Sequence, residues 1–468
     1  MGDDQPAGDD LPWRSIARLV ASYRSRELSP VEVTETFLTR IEQLDPQLHS
    51  FVRVTPELAL GQARAAERAY AEGGQVGPLA GVPVSVKDAF HVSGVVTTLG
   101  SLVYRDQVAK HDSGVVRRLR AAGGVFLGKT NTAEFGQSAT TDNLLGPDTG
   151  NPWDPTRTPG GSSGGAAASV AAGLATVAVG SDGGGSIRIP AAFTGLYGLK
   201  PSPGVVPDEK GFRAMTDFVS GGPLASRVAD ARVMLGVLAD RDLARRTVTG
   251  PLRVAYCPRP EGRPVDPGVA AAVEQASRAM SLLGHVVTQT DLPVQGWEEI
   301  FGPLVLEDEH RERGHLLERF ADELTRYERS SLRAALRLDP SDVARAHDAL
   351  PEYRQRIDRL FDDYDILLTP TNAVPAFPLG QRPTQIAGRD VDALWGAFPF
   401  AVPFNTAGVT AASVPCGLAD GLPVGAQLVA RAGREHFLLD VSEDLEEVLG
   451  FDRTAMAQRW SPAQGSVP

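Results

Sequence analysis

Cysteine is almost absent from this 468-residue sequence, lysine is scarce, and no run of apolar residues is long enough to cross a bilayer. The two cysteines, Cys257 and Cys416, stand alone in apolar, strand-like segments, so each reads as a small buried hydrophobe and neither a disulfide nor a metal site is expected. Only five lysines occur among 46 basic residues, which makes each one worth locating. A formal net charge of -12 supplies no basic face for nucleic acid or an anionic membrane surface, so neither is an expected partner. The start, MGDDQPAGDDLPWRSIARL, is acidic and lacks the basic region and apolar core of a secretory signal, which points to a cytoplasmic protein.

What is present is a chain with 42% hydrophobic residues, enough to bury a large core. Ser29 and Glu32 form a capping box with Pro30 at the first helical position, opening a helix over 29–44, and Pro56 to Glu72 reads as a second. GVPVSVKD at 81–88 then switches to β-branched residues, and strand and helix alternate from there. DSGVVRRLRAAGG leads into VFLG, GAAASVAAGL leads into ATVAVG, and TGLYGLKP and PLRVAYCP follow as short strands. Residues 298–365 are charged, glycine-poor and helical in pattern, an insertion or cap over the core. DILLTPT, AASVPCGL and LPVGAQLVA resume the sheet, a closing helix ends at Gly450, and SPAQGSVP is a frayed tail. The expected fold is one α/β domain over 1–468, a large, mixed, mostly parallel twisted sheet with helices on both faces, and with an N-terminal helical region at about 11–72.

Two glycine-rich loops stand out, PGGSSGGAAASVAAGL at 159–174 and GSDGGGSIR at 180–188. Glycine loses more conformational freedom on folding than any other residue, so such runs mark places where backbone must approach something closely. Free backbone N–H groups in a glycine-rich turn stabilise negative charge, either a phosphate or the oxyanion of a tetrahedral intermediate. Two motifs offer competing explanations. GSSGG at 161–165 fits a nucleophile elbow centred on Ser163, with His285, His310, His315, His347 or His436 as partner; that esterase reading leaves GSDGGGSIR without a role. GGVFLGKT at 123–130 matches the phosphate-loop pattern, but a helix precedes it and VFL is itself the strand, so Lys129 is expected to be structural, held by nearby carbonyls.

Lys87 ends the strand GVPVSVKD among valines. Burial disfavours its charged form, and a fall of about three units from ~10.4, on the order of 4 kcal/mol, would make it a base at neutral pH. A bland alternative pairs it with Asp88 or Asp182 to hold loops together.

The order and spacing of Lys87, of Ser162 in GGSSGG and of Ser186 in GSDGGGSIR resemble those of the amidase signature family over most of the chain. KTN at 129–131, NPWD at 151–154, the run through GGSIRIPAAFTGLYGLKPS, GPLA at 222–225 and GLPVGAQLVA extend the match. The resemblance implies Ser186 as nucleophile, Ser162 as bridging serine and Lys87 as base, with no metal and no cofactor. It also implies an oxyanion hole from the amides of Gly183, Gly184, Gly185 and Ser186, held by an Asp182–Arg188 ion pair, with Ser163 as a supporting hydroxyl. By position in the family pattern, Gly136 and Gln137 line the substrate pocket. AVPAFPLG at 373–380 and WGAFPFAVPF at 395–404 give an apolar entrance, hence an expected hydrolase of aryl or alkyl amides and carbamates acting as a monomer or homodimer. The glutaminase subunit of a tRNA-dependent amidotransferase is the alternative within the family.

Overall fold

Periodicity of two sorts the core of this protein into layers, as the computed structural model of residues 11–207 and 215–461 makes visible. Eleven strands form one sheet: β1 (Phe51–Val54), β2 (Pro83–Lys87), β3 (Val125–Thr130), β4 (Val177–Asp182), β5 (Tyr197–Lys200), β6 (Ser220–Ala225), β7 (Arg253–Tyr256), β8 (Val286–Gln289), β9 (Ile366–Pro370), β12 (Thr410–Ala419) and β13 (Leu422–Ala430). Between β9 and β12, β10 (Gln385–Ile386) and β11 (Arg389–Asp390) make a separate small ribbon. The strand order is β1-β3-β2-β4-β6-β5-β12-β13-β9-β7-β8.

The sheet is mixed, as expected. Parallel pairing joins β3, β2 and β4 in one block and β9, β7 and β8 in another. Antiparallel ladders link the blocks through β6, β5, β12 and β13 and add β1 at the edge, giving four parallel and six antiparallel pairings among the described residues.

Helices cover both faces. In β4, Val177 and Val179 pack with Val115, Leu119 and Leu235 of the helices Gly114–Ala121 and Val228–Ala239. Ala178, between them, turns to the opposite face and the helix Gly164–Ala171. The same alternation holds in β9, where Ile366 and Leu368 face one way and Leu367 the other.

The capping box at Ser29 and Glu32 forms with Pro30 in the first turn, and Gly450 caps the closing helix in the left-handed region. The N-terminal region adds one strand to its helices, since β1 pairs with β3. The charged stretch 298–365 folds as helices Glu298–Arg313, Leu316–Phe320, Arg326–Ala335 and Pro340–Asp363. Of the expected tail, residues 462–468 lie outside the described residues. Among the described residues, no helix is long and apolar enough to cross a membrane.

Candidate active site

Parallel strands end at one edge of a sheet, and crevices form outside their carboxyl ends. Lys87 is the last residue of β2, and β4, its parallel neighbour, ends at Asp182 just before Gly183–Ser186. Alternation along β2 sends Val84 and Val86 into one core layer and Ser85 and Lys87 to the other face. There Ser85 meets Ser169 of the helix Gly164–Ala171 at 2.9 Å, and the loop before that helix delivers Ser162.

Lys87 is fully buried, and its Nζ donates to Ser162 Oγ at 2.6 Å and to Ser181 Oγ at 2.9 Å. Burial pushes its basicity down to about 7, with the Asp182 charge opposing that fall. The bland pairing with Asp88 is not found. Asp88 is engaged by Lys129 at 2.6 Å, and Thr97 Oγ1 accepts from the same ammonium at 2.9 Å. Lys129 is therefore structural as expected, but a carboxylate and a hydroxyl hold it in place of carbonyls. No helix begins there, because Val125–Thr130 is strand β3.

Ser186 lies one loop away. Its carbonyl accepts from Ser163 N at 3.2 Å, which fastens the two serine loops together. Among the described residues its hydroxyl makes no hydrogen bond to Ser162, so the chain is closed from Lys87 to Ser162 and open at its last link. The peptide Gly161–Ser162 is cis. Ser163 Oγ donates to Ser181 O at 3.2 Å. None of His285, His310, His315, His347 and His436 bonds to Ser163 among the described residues: His436 faces Ala244 O, and His347 faces Glu307. Among the described residues, none of these five supplies the base that the elbow reading requires.

The oxyanion loop needs one correction. Gly185 N–H, expected to face substrate, donates to Asp182 Oδ1 at 2.7 Å. The amides of Gly183, Gly184 and Ser186 make no hydrogen bond among the described residues, which leaves three donors for a developing oxyanion. Gly185 is glycine for its backbone, with φ at +109°, and a side chain there would strike Ala401 and Ile189.

Beneath the loop, Asp182 and Arg188 form a wholly buried ion pair at 2.9 Å, and this pair with other charges and hydrogen bonds holds the Asp182 carboxyl well below the usual range. Two residues that sequence reasoning did not single out complete it. Asn405 donates to Asp182 Oδ1 at 2.9 Å, and Gln427 accepts from Arg188 while donating to Phe400 O. Gln427 lay within the matched GLPVGAQLVA run; Asn405 had no local signal.

Gly136 and Gln137 close a short 3-10 turn, where Gln137 Nε2 donates to the buried Glu309 of the helix Glu298–Arg313. No hydrogen bond among the described residues joins them to the serines. The expected apolar entrance is largely core: Phe377 and Phe398 pack on Phe193, and Val402 and Phe404 join Phe218 and Phe301 in a second cluster. Cys257 and Cys416 are buried and unpaired, as expected. Among the described residues, no group of acidic, histidine and cysteine side chains is arranged to hold a metal.

Comparison with known proteins adds independent findings. A family model described as Amidase matches residues 32–439. An acylamidase of Rhodococcus erythropolis is 36% identical, with 94% of this chain and 96% of that protein covered. A glutamyl-tRNA(Gln) amidotransferase chain of Carboxydothermus hydrogenoformans is 34% identical over 95% of this chain and 99% of its own length. A solved bacterial aryl acylamidase of the amidase signature enzymes matches with a TM-score of 0.85 at 29% identity, covering 97% and 99% of the two chains.

Proposed function

The chain belongs to the amidase signature family of amide hydrolases, and from that premise we propose that it acts alone on hydrophobic amides and carbamates, with Ser186 as nucleophile, Ser162 as bridge and Lys87 as base. The observation that carries this reading is the 2.6 Å contact of Lys87 Nζ with Ser162 Oγ, made by an amine whose basicity burial has lowered to about 7.

Neutral Lys87 accepts the proton of Ser162, and Ser162 accepts that of Ser186, once rotation about the Ser186 Cα–Cβ bond turns its hydroxyl to Ser162. Ser186 Oγ then bonds to the carbonyl carbon, and the oxygen that gains charge faces the amides of Gly183, Gly184 and Ser186. Collapse breaks the carbon–nitrogen bond while the proton returns through Ser162 to the departing amine. An acyl-Ser186 ester remains, and water attacking by the same proton path releases the acid and frees Ser186. A carbamate follows the same steps through a carbonate ester of Ser186, and the acid released loses carbon dioxide.

The similarity to an acylamidase and the aromatic cluster of Phe218 and Phe301 beside the oxyanion loop favour apolar amides. The test is release of 4-nitroaniline from butyryl-4-nitroanilide by the purified chain. Turnover without added partner proteins is expected, with Ser186→Ala lowering it by at least about 10³-fold. Hydrolysis of glutamine alone, and only after partner proteins are supplied, would replace this reading with the amidotransferase one.

A further inference from the structure

Arg382 is a half-buried cation without a carboxylate partner among the described residues. Its Nη2 donates to Ser138 Oγ at 2.5 Å and to Thr140 Oγ1 at 3.1 Å, both neutral hydroxyls. Nε and Nη1 make no hydrogen bond among the described residues. Two carboxylates whose charge acts on it, Asp142 and Asp392, form no ion pair with it: Asp142 accepts from Thr140 Oγ1 at 2.6 Å, and Asp392 accepts from the amides of Leu394 and Trp395.

Of these two segments only that of Thr140 touches Arg382 among the described residues, and each packs toward the reacting groups. On one side, the Thr140 carbonyl packs so closely on Gly161, the residue before Ser162, that any Cβ there would overlap it. On the other, the Trp395 ring meets Phe301 edge-on at 6.0 Å, and Phe301 lies 3.3 Å from where a side chain on Gly184 would begin. A guanidinium is a planar fork suited to a carboxylate, and one held by neutral hydroxyls keeps its charge available.

We propose that Arg382 receives a carboxylate carried by the substrate away from the scissile bond, so that preferred substrates are amides with an apolar body and an anionic end. The inference rests on the amidase reading above and narrows its substrate class.

The experiment compares two probe pairs, glutaryl mono-4-nitroanilide with its methyl ester and 4-(butyrylamino)benzoate with its methyl ester, in native, Arg382→Leu and Arg382→Lys enzymes. In at least one pair the native enzyme is expected to have the higher kcat/KM for the carboxylate. Arg382→Leu should lower that value by about tenfold or more, mainly through KM, while the ester changes less than about threefold, and Arg382→Lys should recover part of the loss. The ester value also reports whether the variants are folded. Equal or better cleavage of the ester in both pairs by the native enzyme, or equal losses on carboxylate and ester in Arg382→Leu, would overturn the inference alone. A native enzyme that cleaves none of the four probes would overturn the amidase reading and the inference with it.

Discussion

Lys87 and Lys129 end up on adjacent parallel strands, both without solvent contact, and they do opposite things. Burial lowers the basicity of Lys129 too, but the Asp88 carboxylate at 2.6 Å pairs with its ammonium and opposes that fall. Lys87 has hydroxyls at 2.6 and 2.9 Å, and burial, opposed by the Asp182 charge, brings its basicity down to about 7. Lys200, on β5, makes a third case: it is equally buried and lowered to about 7, but it donates to the carbonyls of Pro201 and Val409, which cannot give up a proton. Burial alone does not make a base. A lowered amine becomes useful where its neighbours are themselves proton donors.

Substitutions separate the three roles. Lys87→Met should remove about 10²–10⁴-fold of kcat on an anilide, with the thermal midpoint kept or raised because a buried amine has been replaced by an apolar chain. Lys129→Met should do the reverse, lowering stability in denaturant melts by about 3–5 kcal/mol through the orphaned Asp88 while the folded fraction keeps its turnover. Lys200→Met leaves two carbonyls unsatisfied and should cost about 1–3 kcal/mol of stability. Ser181→Ala is the finest probe. It removes one acceptor from the protonated amine, so kcat/KM should fall by about tenfold and the pH midpoint should move down from that of the native enzyme. An upward move would contradict the assignment of that hydroxyl as an acceptor from Lys87.

The sequence was most readable where a function depends on neighbours in the chain. The Ser29–Glu32 capping box, the Gly450 cap and the GSDGGGSIR loop are local, and their residue types carry their own physical reason. Lys87, Ser162 and Ser186 are legible as motifs, yet the partnership of Lys87 with Ser181 comes from the pairing of β2 with β4, which no local pattern contains. β6 escapes a sequence reading because SGGPLA has little β propensity; its place between β4 and β5 decides it. The supports of Arg188 lie 217 and 239 residues away, at Asn405 and Gln427. The family resemblance places Gly185 at the oxyanion, whereas only its amide's direction, fixed by Asp182, shows otherwise.

The central claim is that Lys87 reacts as a neutral amine, and the pH dependence of kcat/KM on a neutral anilide tests it. Protonation removes the base, so the rate should be low under acid conditions, rise through a single midpoint near 7, and level off above it. A profile unchanged from about pH 5 to about pH 9 on these probes would contradict the account.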